Sequence, residues 1–274
     1  MPQTRVRVTD LKEKKRRGEK IAILTAYDAI MAKLLERAGI EVLLVGDSVG
    51  MAVLGHETTL PVTLDVMIHH TAAVSRGVER ALIIADMPFL SFQVSVQEAV
   101  RNAGRLMQEA GAAAVKIEGG RPVLDVVKRL VDVGIPVMGH LGLLPQSVNQ
   151  LGGYRKRGTQ PREADAIAMD AIALEDAGAF AIVLEMVPPE VARTVTSQVQ
   201  IPTIGIGAGP DCDGQVLVTY DMLGLFDSFV PSFVKMYAHV AETIMTAAQA
   251  YAEDVRAGRF PEVRVKVEGG APAR

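Results

Sequence analysis

Eight short apolar runs, separated by segments of helical period, constrain the fold more than any other feature of this chain. They are IAILTAY (21–27), EVLLVGD (41–47), ALIIADM (81–87), AAAVKIE (112–118), IPVMGHL (135–141), AFAIVLE (179–185), IPTIGIG (201–207) and QVLVTYD (215–221). They are rich in β-branched residues and apolar throughout, as strands are when both faces are covered. Their alternation with helices implies βαβ units in a parallel sheet. Residues 95–111 carry apolar side chains at 96, 99, 100, 103, 106, 107 and 110, with Ser95 and Glu98 spaced as a capping box. Residues 162–178 form a second clear helix, closed by Gly178. Eight such units predict a (β/α)8 TIM barrel. A doubly wound open sheet is the rival. It needs a G-x-G-x-x-G turn after its first strand, and Gly205-Ile206-Gly207-Ala208-Gly209 comes far too late.

The length of 274 residues would admit two domains, but no linker divides the chain, so one barrel domain is expected over 1–274. An N-terminal helix is expected at about 9–18, a long C-terminal helix over 232–257 packed outside the barrel, and a flexible tail over 258–274. The basic run over 12–20 reads as a solvated helix with Thr9 or Asp10 as its N-cap, rather than as a nucleic-acid patch. The net charge is only −3 and Trp is absent, which argues against nucleic acid and anionic membranes as partners. The single cysteine, Cys212, cannot form an intrachain disulfide. The start has no apolar leader-like core, and no run reaches the roughly 18 apolar residues of a membrane span, so a cytoplasmic location is expected.

In such a barrel the chemistry gathers where the strands end. There the sequence places Asp47 and Ser48, then Asp86, then Lys116 and Glu118, then His140, then Glu185. Lys116 and Glu118 are two apart and share a face. Each has a bland alternative: a carboxylate after a strand often caps the next helix, Asp86 precedes Met87-Pro88 and suits a turn, and a lone His140 suits a satisfied core histidine. Together, several carboxylates at one mouth call for a cation or protons to compensate them. Oxygen donors without thiolate point to a hard metal such as Mg2+. Zinc on His56, His69 and His70 is a poor alternative, since adjacent histidines on a helix point apart. The loop GIGAGPDCDG (205–214) suits either a phosphate cradle or a tight turn, and Gly152-Gly153 marks a basic loop that could serve as a lid.

GDSVGMAVLGHETTLPVT, ADMPF, KIEGG, GHLGLLPQSVNQLGGY, LEMVP and IGIGAGPDCDGQVLV follow one another over about residues 20–226. In this order they resemble the ketopantoate hydroxymethyltransferase family, with LEMVP where some members carry LECVP. The resemblance implies a barrel of the phosphoenolpyruvate/pyruvate type. It also implies transfer of a hydroxymethyl group from methylenetetrahydrofolate to 3-methyl-2-oxobutanoate, giving 2-dehydropantoate through a Mg-stabilised enolate in pantothenate biosynthesis. Carried over by position, Asp47, Asp86 and Glu118 would hold Mg2+. Asp47 would also stand beside the 2-oxoacid, with Ser48, Asp86, Lys116 and His140 as its contacts and Glu185 as the general base. The family usually assembles as a homodecamer. Two alternatives stay open at this level: a metal-dependent C–C lyase of the same barrel type, for which Cys212 is the only candidate cysteine, and a barrel kept as a binding module.

Overall fold

The computed structural model describes residues 4–226 and 231–261. Eight parallel strands close in sequential order. They are β1 (Ile21–Thr25), β2 (Val42–Val45), β3 (Leu82–Asp86), β4 (Ala114–Glu118), β5 (Val137–Gly142), β6 (Ala181–Glu185), β7 (Thr203–Ile206) and β8 (Gly214–Leu217). The β1–β8 pairing, with Ile21 opposite Gly214, shuts the barrel. The helices are α1 (Val8–Arg17), α2 (Ala29–Arg37), α3 (Val49–Ala52), α4 (Leu64–Gly77), α5 (Val96–Gln108), α6 (Leu124–Asp132), α7 (Val148–Leu151), α8 (Pro161–Asp176), α9 (Pro189–Gln198), α10 (Thr219–Met222) and α11 (Val240–Arg256). The TIM barrel expected from the eight runs is therefore the fold observed.

Contacts divide the chain into two compact units, one of Met1–Thr219 with Pro231–Val234, the other of Tyr220–Val230 with Lys235–Arg274. The first unit holds the whole barrel. In the second, α11 begins at Val240, later than the expected start near 232. The Tyr237 and Val240 amides bond the Met222 and Leu223 carbonyls, so the preceding segment spends its donors outside a helical ladder. The tail beyond 261 lies outside the described residues.

A period of two along the strands explains how the barrel is filled. Leu82 and Ile84 of β3, Ala114 of β4, Met138 of β5, and Ala181 and Val183 of β6 meet in one buried cluster. The next positions of the same parity are Asp86, Lys116 with Glu118, His140 and Glu185. The same alternation that buries the lower layers thus carries the ionisable groups up the interior to the C-terminal mouth. Each fully buried aliphatic side chain in the lower layers contributes about 1.5–3 kcal/mol.

The N-terminal helix closes the other end, and it is not a merely solvated one. Leu11 enters the barrel cluster at 1% exposure. Lys15 Nζ donates to the Thr196 and Ile201 carbonyls and stands 2.9 Å from Asp213 Oδ2. The N-cap is Arg7, not Thr9 or Asp10; Asp10 is the third helical residue, and its carboxylate accepts the Arg7 amide. In α5, Ser95 caps as expected, its side chain accepting from the Glu98 amide.

The β7–β8 connection departs from strand–helix alternation. Residues 207–213 contain no helix and run from the mouth back to the opposite end. A side chain at Gly214 would meet the Ile21 carbonyl oxygen at 2.4 Å, and one at Gly209 would meet Pro189 at 2.7 Å. Those approaches favour the tight-turn reading of the glycine-rich loop.

Candidate active site

The segment after β2 shows why a buried strand ends in Gly46-Asp47-Ser48. A Cβ on Gly46 would stand 2.6 Å from Ser48 Oγ, and one on Gly50 would stand 2.6 Å from Val62 Cγ2. Glycine at both places lets the chain fold back over its own strand end. The Asp47 amide then donates to Asp86 Oδ2 at 3.0 Å. Ser48 Oγ lies 2.8 Å from the hydroxyl of Tyr27, a fully buried residue just after β1. The capping alternatives fail for Ser48 and Glu185: α3 begins without a side-chain cap bond from Ser48, and α9 has Pro188 rather than Glu185 as its N-cap.

Strand register sets Asp86 opposite Lys116 and Glu118 opposite His140. Lys116 Nζ stands 3.1 Å from Asp86 Oδ1 and 3.1 Å from His140 Nδ1. His140 Nε2 lies 3.1 Å from Glu185 Oε2, although its N–H is not aligned as a full hydrogen bond. All the residues expected from the strand ends thus converge. Asp47, Asp86, Lys116, Glu118 and His140 are buried, while the Glu185 side chain keeps 17% of its surface open to the mouth.

The electrostatics follow from one ammonium among four carboxyl groups in a largely buried pocket. Burial, and then the nearby Asp86 carboxylate, push Asp47 up to about 7. Burial and the Asp47 charge hold Glu118 well above the usual carboxylate range. Burial also raises Glu185 to about 7, against the pull of Lys116. For Lys116 burial works to lower the pKa, but the carboxylates of Asp86, Glu118 and Asp47 outweigh it and raise it, so the ammonium keeps its proton. Burial and the Lys116 charge hold His140 well below the imidazole range, so it is neutral. An ammonium can only donate. His140 Nδ1 must accept, and its proton sits on Nε2, facing Glu185.

These residues fit a hard divalent cation. Glu118 Oε1 is buried without a hydrogen-bond partner, Asp86 Oδ1 faces the Lys116 ammonium at 3.1 Å, and the site holds more carboxyl groups than Lys116 can neutralise. As the side chains stand, no three His, Cys, Asp or Glu among the described residues form a finished cage. Gln146, within GHLGLLPQSVNQLGGY but not picked out there as a site residue, joins the carboxylates: its side chain donates to Asp47 Oδ2 at 2.8 Å and its amide to Glu118 Oε2 at 3.0 Å.

Other candidates fall elsewhere. His70 Nδ1 is 2.7 Å from the Tyr27 carbonyl and serves that contact. Cys212 is buried at the N-terminal end of the barrel, where Lys20 bonds its carbonyl, so the cysteine invoked for a lyase is far from the mouth. The 152–158 loop does span toward the site: the Tyr154 hydroxyl lies 3.7 Å from Met51 Sδ, and the Arg157 amide bonds the Met186 carbonyl. Met186, directly after Glu185, has φ of 48°, a strained left-handed conformation for a non-glycine residue at the head of the site.

The family model described as ketopantoate hydroxymethyltransferase matches residues 5–263. The chain belongs to the ketopantoate hydroxymethyltransferase family. A relative from Moorella thermoacetica, named 3-methyl-2-oxobutanoate hydroxymethyltransferase, is 56% identical over 260 residues, covering 95% of this chain and 97% of its own. One of the same name from Syntrophus aciditrophicus is 57% identical over 248 residues, covering 90% and 91%. Among solved structures, phosphonopyruvate hydrolase in complex with oxalate and Mg2+ superposes with a TM-score of 0.62 at 14% identity, covering 94% of this chain and 89% of that one. The 2,3-dimethylmalate lyase structure, described as a PEP mutase/isocitrate lyase superfamily member, gives 0.60 at 17% identity, covering 95% and 90%. That likeness is one of fold, a closed barrel of eight parallel strands.

Proposed function

We propose that this chain transfers a hydroxymethyl group from methylenetetrahydrofolate to 3-methyl-2-oxobutanoate, giving 2-dehydropantoate for pantothenate biosynthesis. The observation that carries the reading is Glu185, a carboxyl group at about 7 held against a neutral histidine at the open side of a carboxylate-lined mouth. A base of that pKa is matched to removing a proton beside a ketone near neutral pH.

Asp47, Asp86 and Glu118 would hold Mg2+. When bound, the ion supplies charge stabilisation to the oxygens of the 2-oxoacid as the C3 proton leaves. The chain's own residues do the rest. Lys116 and Ser48 orient the anionic substrate, the first by charge and the second by its hydroxyl. His140, neutral and protonated on Nε2, steadies the Glu185 carboxylate. Glu185 takes the C3 proton, and C3 then bonds to the one-carbon unit of the folate as one of its two nitrogen–carbon bonds breaks; water supplies the hydroxyl oxygen as the second breaks, and the C3 proton and one water proton end on the two freed nitrogens. Tyr154, on the loop that reaches Met51, covers the mouth during this step.

Assembly as a homo-oligomer, a decamer as in the family, is part of the proposal. In support, α11 buries none of its residues and exposes Ile244, Met245, Tyr251 and Val255. No helix among the described residues is long and apolar enough to cross a membrane, which agrees with the proposed cytoplasmic site of action.

The test is exchange of the C3 proton of 3-methyl-2-oxobutanoate into D2O with Mg2+ and without folate, followed by product formation once folate is added. Exchange that is absent in both conditions, or turnover indifferent to folate, would sink the reading.

A further inference from the structure

Gln146 sits where three strand ends meet, and its hydrogen bonds leave little freedom. Its side-chain nitrogen donates to Asp47 Oδ2 at 2.8 Å and to the Met87 carbonyl at 2.9 Å. Its oxygen accepts from Gln93 Nε2 at 3.1 Å. Its backbone amide donates to Glu118 Oε2 at 3.0 Å. That amide is available because Gln146 lies in the single helical turn Pro145–Ser147, where the first amides have no partner within the turn.

The orientation of the side-chain amide is forced. The Met87 carbonyl can only accept, as does Asp47 Oδ2 when ionised, so both face the NH2 group, and the remaining oxygen takes the donor that Gln93 supplies. The residue type is equally constrained. A lysine or arginine here would neutralise the carboxylates and compete with a cation. An acid would repel them, and a hydroxyl could not donate to two acceptors at once. Gln146 is uncharged and buried, and it takes one oxygen of Asp47 and one of Glu118, while Glu118 Oε1 is left buried without a hydrogen bond, 3.6 Å from His140 Nδ1.

We propose that Gln146 is the positioning residue that sets the Asp47 and Glu118 carboxylates for a divalent cation, with Gln93 fixing its amide. This rests on the cation site of the proposed function. Gln146 acts through the two carboxylates rather than on the substrate, so its loss shows first in cation affinity.

The test is titration of the purified full-length chain with Mn2+, read by electron paramagnetic resonance without substrates. Wild type is compared with Gln146→Ala, Gln146→Glu, Gln93→Ala and Gln93→Glu. Gln146→Ala keeps the backbone bond to Glu118 but frees Asp47, and is expected to weaken Mn2+ by about 10–100-fold. Gln93→Glu offers an acceptor that claims the Gln146 NH2 group and turns its oxygen toward Asp47, so it should weaken Mn2+ more than Gln93→Ala does. C3 proton exchange in Gln146→Ala should return toward the wild-type rate at saturating Mn2+, which a general packing defect would not allow. Wild-type Mn2+ affinity in folded Gln146→Ala, or exchange that saturating metal does not restore, overturns the proposal. If Gln146→Ala does not fold, the exposed Gln93 carries the decision: Mn2+ affinity in Gln93→Glu equal to that in Gln93→Ala overturns it. Wild type that binds no Mn2+ overturns the cation site itself, and the proposal with it.

Discussion

His140 Nε2 faces Glu185 Oε2 at 3.1 Å, while the other ring nitrogen is 3.1 Å from the Lys116 ammonium. Because the ammonium cannot accept, one contact fixes the other: the imidazole is neutral, and its proton lies toward the carboxyl group proposed as the base. Glu185→Gln keeps the shape and loses the proton acceptor. C3 exchange into D2O should fall by about 10²–10⁴-fold. Exchange at the wild-type rate in this variant would remove Glu185 from the mechanism.

The pH dependence of that exchange follows from the same residue. The base works only when ionised, and burial raises Glu185 to about 7. The rate should therefore rise with pH up to that region and level above it, losing about tenfold per pH unit on the acid side. A limb centred near the ordinary carboxylate value, measured with saturating substrate and metal, would contradict the environment described for Glu185.

Stability of the metal-free protein should depend on pH through the same mouth. Asp47 and Glu185 rise from 3.8 and 4.5 to about 7, and Glu118 is also raised. A carboxyl group whose folded value exceeds its unfolded one stabilises the fold while protonated. That contribution is present below the unfolded value and lost as pH rises through the folded value. The thermal midpoint should fall between about pH 4 and 7 relative to an Asp47→Asn variant, in which one such group is absent. Added Mg2+ binds the ionised form, so it should raise the wild-type midpoint more at pH 7.5 than at pH 5. An equal Mg2+ effect at both values would count against the carboxylate site.

The Tyr27 hydroxyl meets Ser48 Oγ at 2.8 Å. Tyr27→Phe removes that hydroxyl without changing the buried ring. The expected result is a several-fold rise in KM for the oxoacid, equivalent to about 1 kcal/mol, with the exchange rate at saturation little changed. Steady-state kinetics that show a collapse of kcat instead would mean that Tyr27 has a more direct part.

At the opposite end, Leu11 plugs the barrel from α1. Leu11→Ala should destabilise the protein by about 2–5 kcal/mol in denaturant titration. The folded fraction should exchange the C3 proton normally, because the cavity opens at the far end from the mouth. A large loss of exchange with unchanged stability would reverse that assignment.

Several features were legible in the residues alone for a physical reason. Strand parity is local: once β4 is known to be a strand, Lys116 and Glu118 must share a face, and the same counting brings Asp86, His140 and Glu185 to one mouth. The barrel itself was readable because the eight apolar runs repeat a single unit, and the family because its motifs are long. Tertiary structure alone decided the rest. Gln146 lies 99 positions from the Asp47 carboxylate that it touches, and Tyr27 lies 21 from Ser48. A neutral amide and a phenol carry no pattern in sequence that marks such contacts. The tautomer of His140, the shifts of Asp47, Glu118 and Glu185, and the helix-free return from β7 to β8 likewise depend on distances and burial. Those arise only when strands remote in the chain close side by side, because desolvation and charge act through space rather than along the backbone.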